Sequence, residues 1–129
     1  MSRWKFGEFE TEVDFTDADF LDRLDAAQEQ LDQDSKQAPV VGKTSDVIRE
    51  QVACFSRFFD TVFGEGTSEL MYGGKTSLEL AIRSCEAFSS FGSNEGTRID
   101  SAYGKYKVNK PVNKPANRQQ RRYQERKGR

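Results

Sequence analysis

Histidine is absent from this 129-residue chain. That excludes imidazole general bases, histidine-containing zinc sites and histidine-based catalytic triads. Cysteine is scarce: Cys54 and Cys85 are the two present, and no paired-cysteine motif surrounds them. Each falls within a helical apolar pattern, which reads as a buried thiol of a reduced compartment; a disulfide between them is the alternative. No stretch approaches the roughly 20 consecutive apolar residues of a membrane span. The opening Met-Ser-Arg-Trp-Lys-Phe lacks the apolar run of a secretory signal, so a cytoplasmic location is expected. The hydrophobic share is only 35% against 32% charged, which allows a single domain with a small core.

What is present is unevenly distributed. Residues 103–129 carry ten Lys or Arg and one acid, Glu125, whereas residues 1–102 carry ten basic and twenty acidic residues. An acidic body, 1–102, followed by a basic tail, 103–129, is the first division the sequence suggests. The tail repeats Val-Asn-Lys-Pro at 108–111 and 112–115, and two prolines amid high charge predict an extended, disordered segment. Arg118, Arg121, Arg122, Arg126, Lys127 and Arg129 with Tyr123 are candidates for nucleic-acid contact. An arm for an acidic protein or for the chain's own acidic body, and a solubilising tail, are the competing readings. Residues 117–127 have the composition of a helix that forms on a partner.

Within the body the hydrophobic periodicity changes twice. Trp4 and Phe6 alternate on one parity, and Phe9, Thr11, Val13 and Phe15 on the other. A two-residue turn at Gly7-Glu8 reconciles them, placing Phe6 opposite Phe9, Trp4 opposite Thr11 and Lys5 opposite Glu10. This predicts a hairpin with strands at about 3–6 and 9–14. Phe20, Leu24, Ala27 and Leu31 form the stripe of a first helix, about 17–32, with Thr16 as its N-cap and Phe15 against Phe20 as a hydrophobic staple. Pro39 and Gly42 break the chain in a linker at 33–44. Ile48, Val52, Phe55, Phe59 and Val62, widened by Val47, Cys54 and Phe58, define a second helix at about 46–63, capped by Thr44 or Ser45 and ended by Gly64. A short helix at 68–72, capped by Thr67, stops at Gly73-Gly74. A last helix at 77–91 starts from the capping box Thr76-Ser77-Leu78-Glu79, buries Leu78, Ala81, Ile82, Cys85, Phe88 and Phe91, and ends at Gly92. The fold class is therefore mainly α (α+β): a small helical domain with an N-terminal β-hairpin and a disordered basic C-terminal tail.

Gly-Lys-Thr-Ser occurs twice, at 42–45 and 74–77, and imitates the end of a phosphate-binding loop. That motif needs a glycine five positions before its Gly-Lys pair and a strand in front of it. Glu69 and Gln37 hold those positions, and the glycines serve equally well to end one helix before Thr or Ser starts the next. Asp14, Asp17 and Asp19 resemble metal ligands in type but lack the glycine and distal Glu of a calcium loop, so capping is the better reading. No carboxylate sits in an apolar patch beside a partner, as acid–base catalysis would require. An enzymatic role is not expected, and no cofactor or metal is predicted.

The phenylalanines of the second and last helices exceed what a small core obviously needs. Phe55, Phe58, Phe59 and Phe63, with Leu70, Met71 and Tyr72, are the candidate protein-binding residues; the competing reading is that all are monomer core. A self-association face is a further expectation.

Phe58-Phe59-Asp60-Thr61-Val62-Phe63-Gly64-Glu65-Gly66-Thr67, then Gly73-Gly74-Lys75, then Cys85-Glu86-Ala87-Phe88 in an apolar helix, resembles the tail assembly chaperones of long-tailed phages and prophages of Gram-positive bacteria. Val13-Asp14-Phe15-Thr16-Asp17-Ala18 after the hairpin, and Asn117-Arg118-Gln119-Gln120-Arg121-Arg122, are similar as well. The resemblance implies a non-enzymatic protein of the host cytoplasm that holds the tape measure protein before tail-tube subunits polymerise around it and is absent from the finished virion. It implies the tape measure protein as partner, with the tail tube protein as a second, and homo-oligomers. A small nucleic-acid-binding accessory protein acting through the basic tail is the alternative function.

Overall fold

The computed structural model describes residues 2–106. The chain runs β1 (Ser2–Phe6), β2 (Phe9–Val13), α1 (Ala18–Gln37), α2 (Thr44–Phe63), α3 (Thr67–Tyr72), α4 (Leu78–Tyr103) and a 3-10 turn (Gly104–Tyr106). It divides after Ser93 into two units, of which the second is described over residues 94–106. The basic-tail candidates Arg118, Arg121, Arg122, Arg126, Lys127 and Arg129, and the disorder expected around them, lie outside the described residues. No helix among the described residues is long and apolar enough to cross a membrane.

The hairpin forms in the register that the parity break predicts: Phe6 pairs with Phe9, Lys5 with Glu10, Trp4 with Thr11 and Arg3 with Glu12. Gly7 takes φ +60, the left-handed value that the first position of a primed turn demands and that a side chain resists. Alternation sends Trp4 and Val13 into the core and Arg3, Lys5, Glu10 and Glu12 outward. Arg3 bridges to both Glu10 (3.1 Å) and Glu12 (3.3 Å) across the outer face.

Trp4 organises the core of residues 1–93. Its ring stacks on Phe59 (5.8 Å) and Phe63 (5.9 Å) and meets Phe88 edge-on at 5.1 Å. These are the offset and edge geometries that a ring quadrupole favours, each worth about 0.5–1.5 kcal/mol beyond area burial. Phe20, Leu24 and Ala27 bury the predicted stripe of α1. On α2, Val52, Cys54, Phe58, Phe59 and Val62 are buried, and the wide arc of that helix is real. Asp34 of α1 pairs with Arg57 of α2, and the Arg23 side chain donates to the Val62 carbonyl (3.4 Å), so α1 and α2 run antiparallel. Both thiols are free: Cys54 is buried with its S–H directed to the Glu50 carbonyl, and Cys85 is half-buried.

The helix boundaries differ from expectation in ways that trace to side-chain reach. Asp17, not Thr16, caps α1: its carboxylate accepts from the Asp19 N–H, while Thr16 donates to Asp14 from both backbone and hydroxyl. The staple nonetheless exists, with Phe15 and Phe20 edge-on at 5.4 Å. α1 continues to Gln37, five residues past the predicted end at 32, because nothing before Pro39 forbids it. Lys43 occupies the cap position of α2 without a side-chain bond, so neither Thr44 nor Ser45 caps it. Ser77 caps α4 by accepting from the Leu80 N–H, and Glu79 pairs with Arg83 instead of closing the predicted box with Thr76.

The largest correction concerns Gly92. It does not stop α4, which runs on to Tyr103. Gly92 is helical, and a Cβ there would meet the Phe15 ring at 3.7 Å, an ordinary contact that leaves room for a side chain. In the second unit, the remaining turns of α4 carry Glu95 and Ile99, both buried and one turn apart, and Arg98 holds the Glu95 carboxylate at 3.1 Å.

Candidate protein-binding surface

The seven predicted binding residues separate by burial. Phe58, Phe59, Met71 and Tyr72 are core, Phe59 completely so. Phe55 and Phe63 are half-buried, and Leu70 is open, with 51% of its surface exposed. The structure thus leaves Phe63 half-buried and Leu70 exposed at the α2–α3 junction, and brings to Phe63 and Tyr72 two further rings that the aromatic count had not singled out. Phe9 tilts against Phe63 at 5.2 Å, and Phe6 meets Tyr72 edge-on at 6.4 Å. Phe6 and Phe9 are half-buried. A signal for them existed in the sequence: the pair flanking a two-residue turn sits at the end of the sheet, where a core thins.

Backbone geometry holds this corner in place. The Glu8 N–H donates to the Leu70 carbonyl (3.2 Å), so the hairpin turn satisfies one of the orphan carbonyls at the end of α3. The other end of α3 is capped from a distance. Asp60, near the end of α2, accepts from the Ser68 N–H (2.9 Å) through one carboxylate oxygen and from the Ser68 hydroxyl through the other. Thr67, predicted as the cap, is the first residue of α3 and turns its hydroxyl to the Gly64 carbonyl (2.7 Å). Gly64, Gly66, Gly73 and Gly74 all have positive φ, as turn glycines should. Tyr72 is anchored inward, its hydroxyl 2.8 Å from the buried Ser84 hydroxyl, and burial holds its phenol above the ordinary range.

A second feature is an open groove of about 480 Å³ along α2, lined by Arg49, Val52, Ala53, Ser56, Arg57, Asp60 and Thr76. Its cations are already engaged, Arg49 with Asp46 (3.0 Å) and Arg57 with Asp34. The Gln30 amide, then Arg57, holds the Asp34 carboxyl below its ordinary value. Val40 and Val41, in the linker between α1 and α2, are 79% and 84% exposed. Among the described residues no three His, Cys, Asp or Glu side chains gather as a metal site would require. The arrangement offers contact chemistry: aromatic edges, one open leucine and a charged periphery.

Residues 7–125 match a family of unknown function, DUF6673, and the chain belongs to that family. No curated protein and no solved structure matches it.

Proposed function

We propose that this member of the family is a non-enzymatic binding protein that acts as a tail assembly chaperone, holding a tape measure protein in the host cytoplasm until the tail tube forms and then leaving the particle. The observation that carries the reading is the apolar corner where Phe6, Phe9 and Phe63 are half-buried beside the exposed Leu70. Such a corner suits the apolar face of an amphipathic helix, whose anchors recur at three- and four-residue spacing. A tape measure protein is a long helical client of that kind. The sequence resemblance around residues 58–67, 73–75 and 85–88 supports the same assignment.

Co-expression with the tape measure protein of the same phage or prophage genome tests it. A soluble complex is expected, and it should survive deletion of residues 105–129. Leu70→Asp, at an exposed position, should release the client while leaving the fold intact. Failure of the two proteins to copurify overturns the proposal. The competing role, nucleic-acid binding through the basic tail, would instead appear as an affinity for RNA or DNA that falls steeply with salt and vanishes on truncation.

A further inference from the structure

Three carboxylates are brought to the open leucine of the α2–α3 junction. Glu69 precedes Leu70 in α3. Glu8 is held beside it, because the Glu8 N–H donates to the Leu70 carbonyl (3.2 Å). Glu65 lies in the turn that joins Phe63 to α3, and the next residue, Gly66, accepts from the Leu70 N–H (3.2 Å). All three acids are exposed, and among the described residues none of them is in an ion pair. Other exposed acids are matched where a cation is in reach: Arg3 takes Glu10 and Glu12, Arg49 takes Asp46, and Arg83 takes Glu79.

The cations around the corner do not neutralise it. Arg23 is spent on the Val62 carbonyl (3.4 Å) and lies over the Phe20 ring at 5.8 Å. Lys5 stands opposite Glu10 on the outer face of the hairpin. Lys75, beyond the glycines that end α3, is exposed. At Glu8 and along residues 65–75 three acids therefore face one base. Glu29 and Asp32 of α1 and Glu50 of α2 are also exposed and outside any ion pair, but they stand on helices whose exposed residues include no large apolar side chain. Only at the corner do unpaired acids border apolar surface that is open to a partner.

An apolar anchor ringed by carboxylates selects its occupant by charge. Apolar contact supplies affinity without direction, whereas opposite charges around it speed encounter and like charges reject a wrong partner. Lysine and arginine suit such a rim, since their methylene stems cover apolar surface while the charged head reaches a carboxylate. We propose that the corner of Phe6, Phe9, Phe63 and Leu70 takes a helical segment whose apolar stripe is bordered by lysine or arginine, and that Glu8, Glu65 and Glu69 set this specificity. The inference rests on the reading of the corner as a helix-binding site and adds the chemistry of what occupies it.

Two synthetic peptides test it against the full-length chain. Both are amphipathic helices with the same leucines at three- and four-residue spacing; lysines border the stripe in one and glutamates in the other. Fluorescence anisotropy at low salt should give the lysine peptide a Kd about tenfold lower. The two should converge at about 1 M salt, where charges are screened beyond about 3 Å. Glu8→Gln, Glu65→Gln and Glu69→Gln combined should bring the peptides to within about twofold of each other. Glu29→Gln, Asp32→Asn and Glu50→Gln combined remove as much charge from α1 and α2 and should leave the preference intact, which separates the rim from the net charge of the body. Leu70→Gln should weaken both peptides alike, since it removes the anchor and no charge. The buried Trp4 reports by fluorescence that each variant is folded, and the wild-type comparison stands without the variants. The proposal is overturned if the glutamate peptide binds as well as the lysine peptide, if the rim variant keeps the preference, or if the α1–α2 variant loses it. It is overturned too if neither peptide binds, the corner then being held by the chain's own basic tail or by a second copy. A tape measure protein that copurifies while the peptides show no charge preference sinks this inference alone; charge-selective peptide binding without copurification sinks only the assignment of the client.

Discussion

The backbone N–H of Glu8 donates to the carbonyl of Leu70 across 62 residues of sequence, at 3.2 Å. That bond ties the hairpin turn to the end of α3 and sets the corner at which the proposed client would bind. Gly7 makes the approach possible. A Cβ at Gly7 would fall on the Met71 carbonyl oxygen, a backbone atom that cannot move aside, and φ there is +60. Gly7→Ala should therefore cost about 1–3 kcal/mol from backbone strain alone, with the steric overlap added. Urea denaturation followed by Trp4 fluorescence measures it. A loss within error of zero would mean that the turn is not docked on α3.

Gly92 predicts the opposite sign. Its φ is helical and a Cβ would sit in ordinary contact with the Phe15 ring at 3.7 Å. Gly92→Ala removes a helix-interior glycine at no packing cost and should stabilise the chain by about 0.5–1 kcal/mol. Thermal unfolding by circular dichroism checks this, and a clear loss of stability would show that Phe15 leaves no room for a methyl group at position 92.

Ser84 and Tyr72 should be unequal partners. The Ser84 hydroxyl donates to the Ala81 carbonyl (2.7 Å), which leaves Tyr72 as the donor to Ser84. Tyr72→Phe removes that donor cleanly and should cost about 0.5–1.5 kcal/mol. Ser84→Ala strands the buried phenol without its acceptor and should cost more, about 1–3 kcal/mol. Paired denaturant titrations decide the order, and equal costs would mean that water replaces Ser84.

Stability should fall in alkali. Burial raises the Cys54 and Cys85 thiols above 9.0 and the Tyr72 phenol above 10.0. Between those values and the raised ones, the unfolded chain has released protons that the folded chain retains. The unfolded state then binds fewer protons, so unfolding free energy declines as pH rises. The contribution is whole below about pH 9 and is lost above it. Cys85→Ala combined with Tyr72→Phe should flatten the decline above about pH 9, as read from denaturant midpoints at each pH.

Asp60→Ala should loosen α3 selectively. It removes the acceptor for the Ser68 N–H, a cap worth about 0.5–2 kcal/mol. Amide exchange should quicken at Ser68 and the residues after it while the α1–α2 pair stays protected. Uniform loss of protection would show that α3 does not open independently.

Sequence pattern was most informative where structure is local. The parity break between Phe6 and Phe9, with Gly7-Glu8 between them, determined the hairpin and its register. The steps from Ile48 to Val62 and the glycines at 64, 66, 73 and 74 determined α2, α3 and the turns around them. Caps were less legible because several acceptors compete within one turn: Asp17 rather than Thr16, Ser77 rather than Thr76. The cap of α3 could not be found locally at all, since Asp60 lies in the preceding helix.

Two matters were decided only by tertiary structure. Gly92 reads as a stop signal by propensity, about 1 kcal/mol against helix, but packing against Phe15 and the continuing pattern through Glu95 and Ile99 carry α4 to Tyr103. Which phenylalanines remain open was likewise settled by the hairpin. Trp4 covers Phe59 on one side while Phe6 and Phe9 reach only the margin of the core. Helical periodicity identifies the face that avoids water; how much of that face is covered depends on what another segment brings to it.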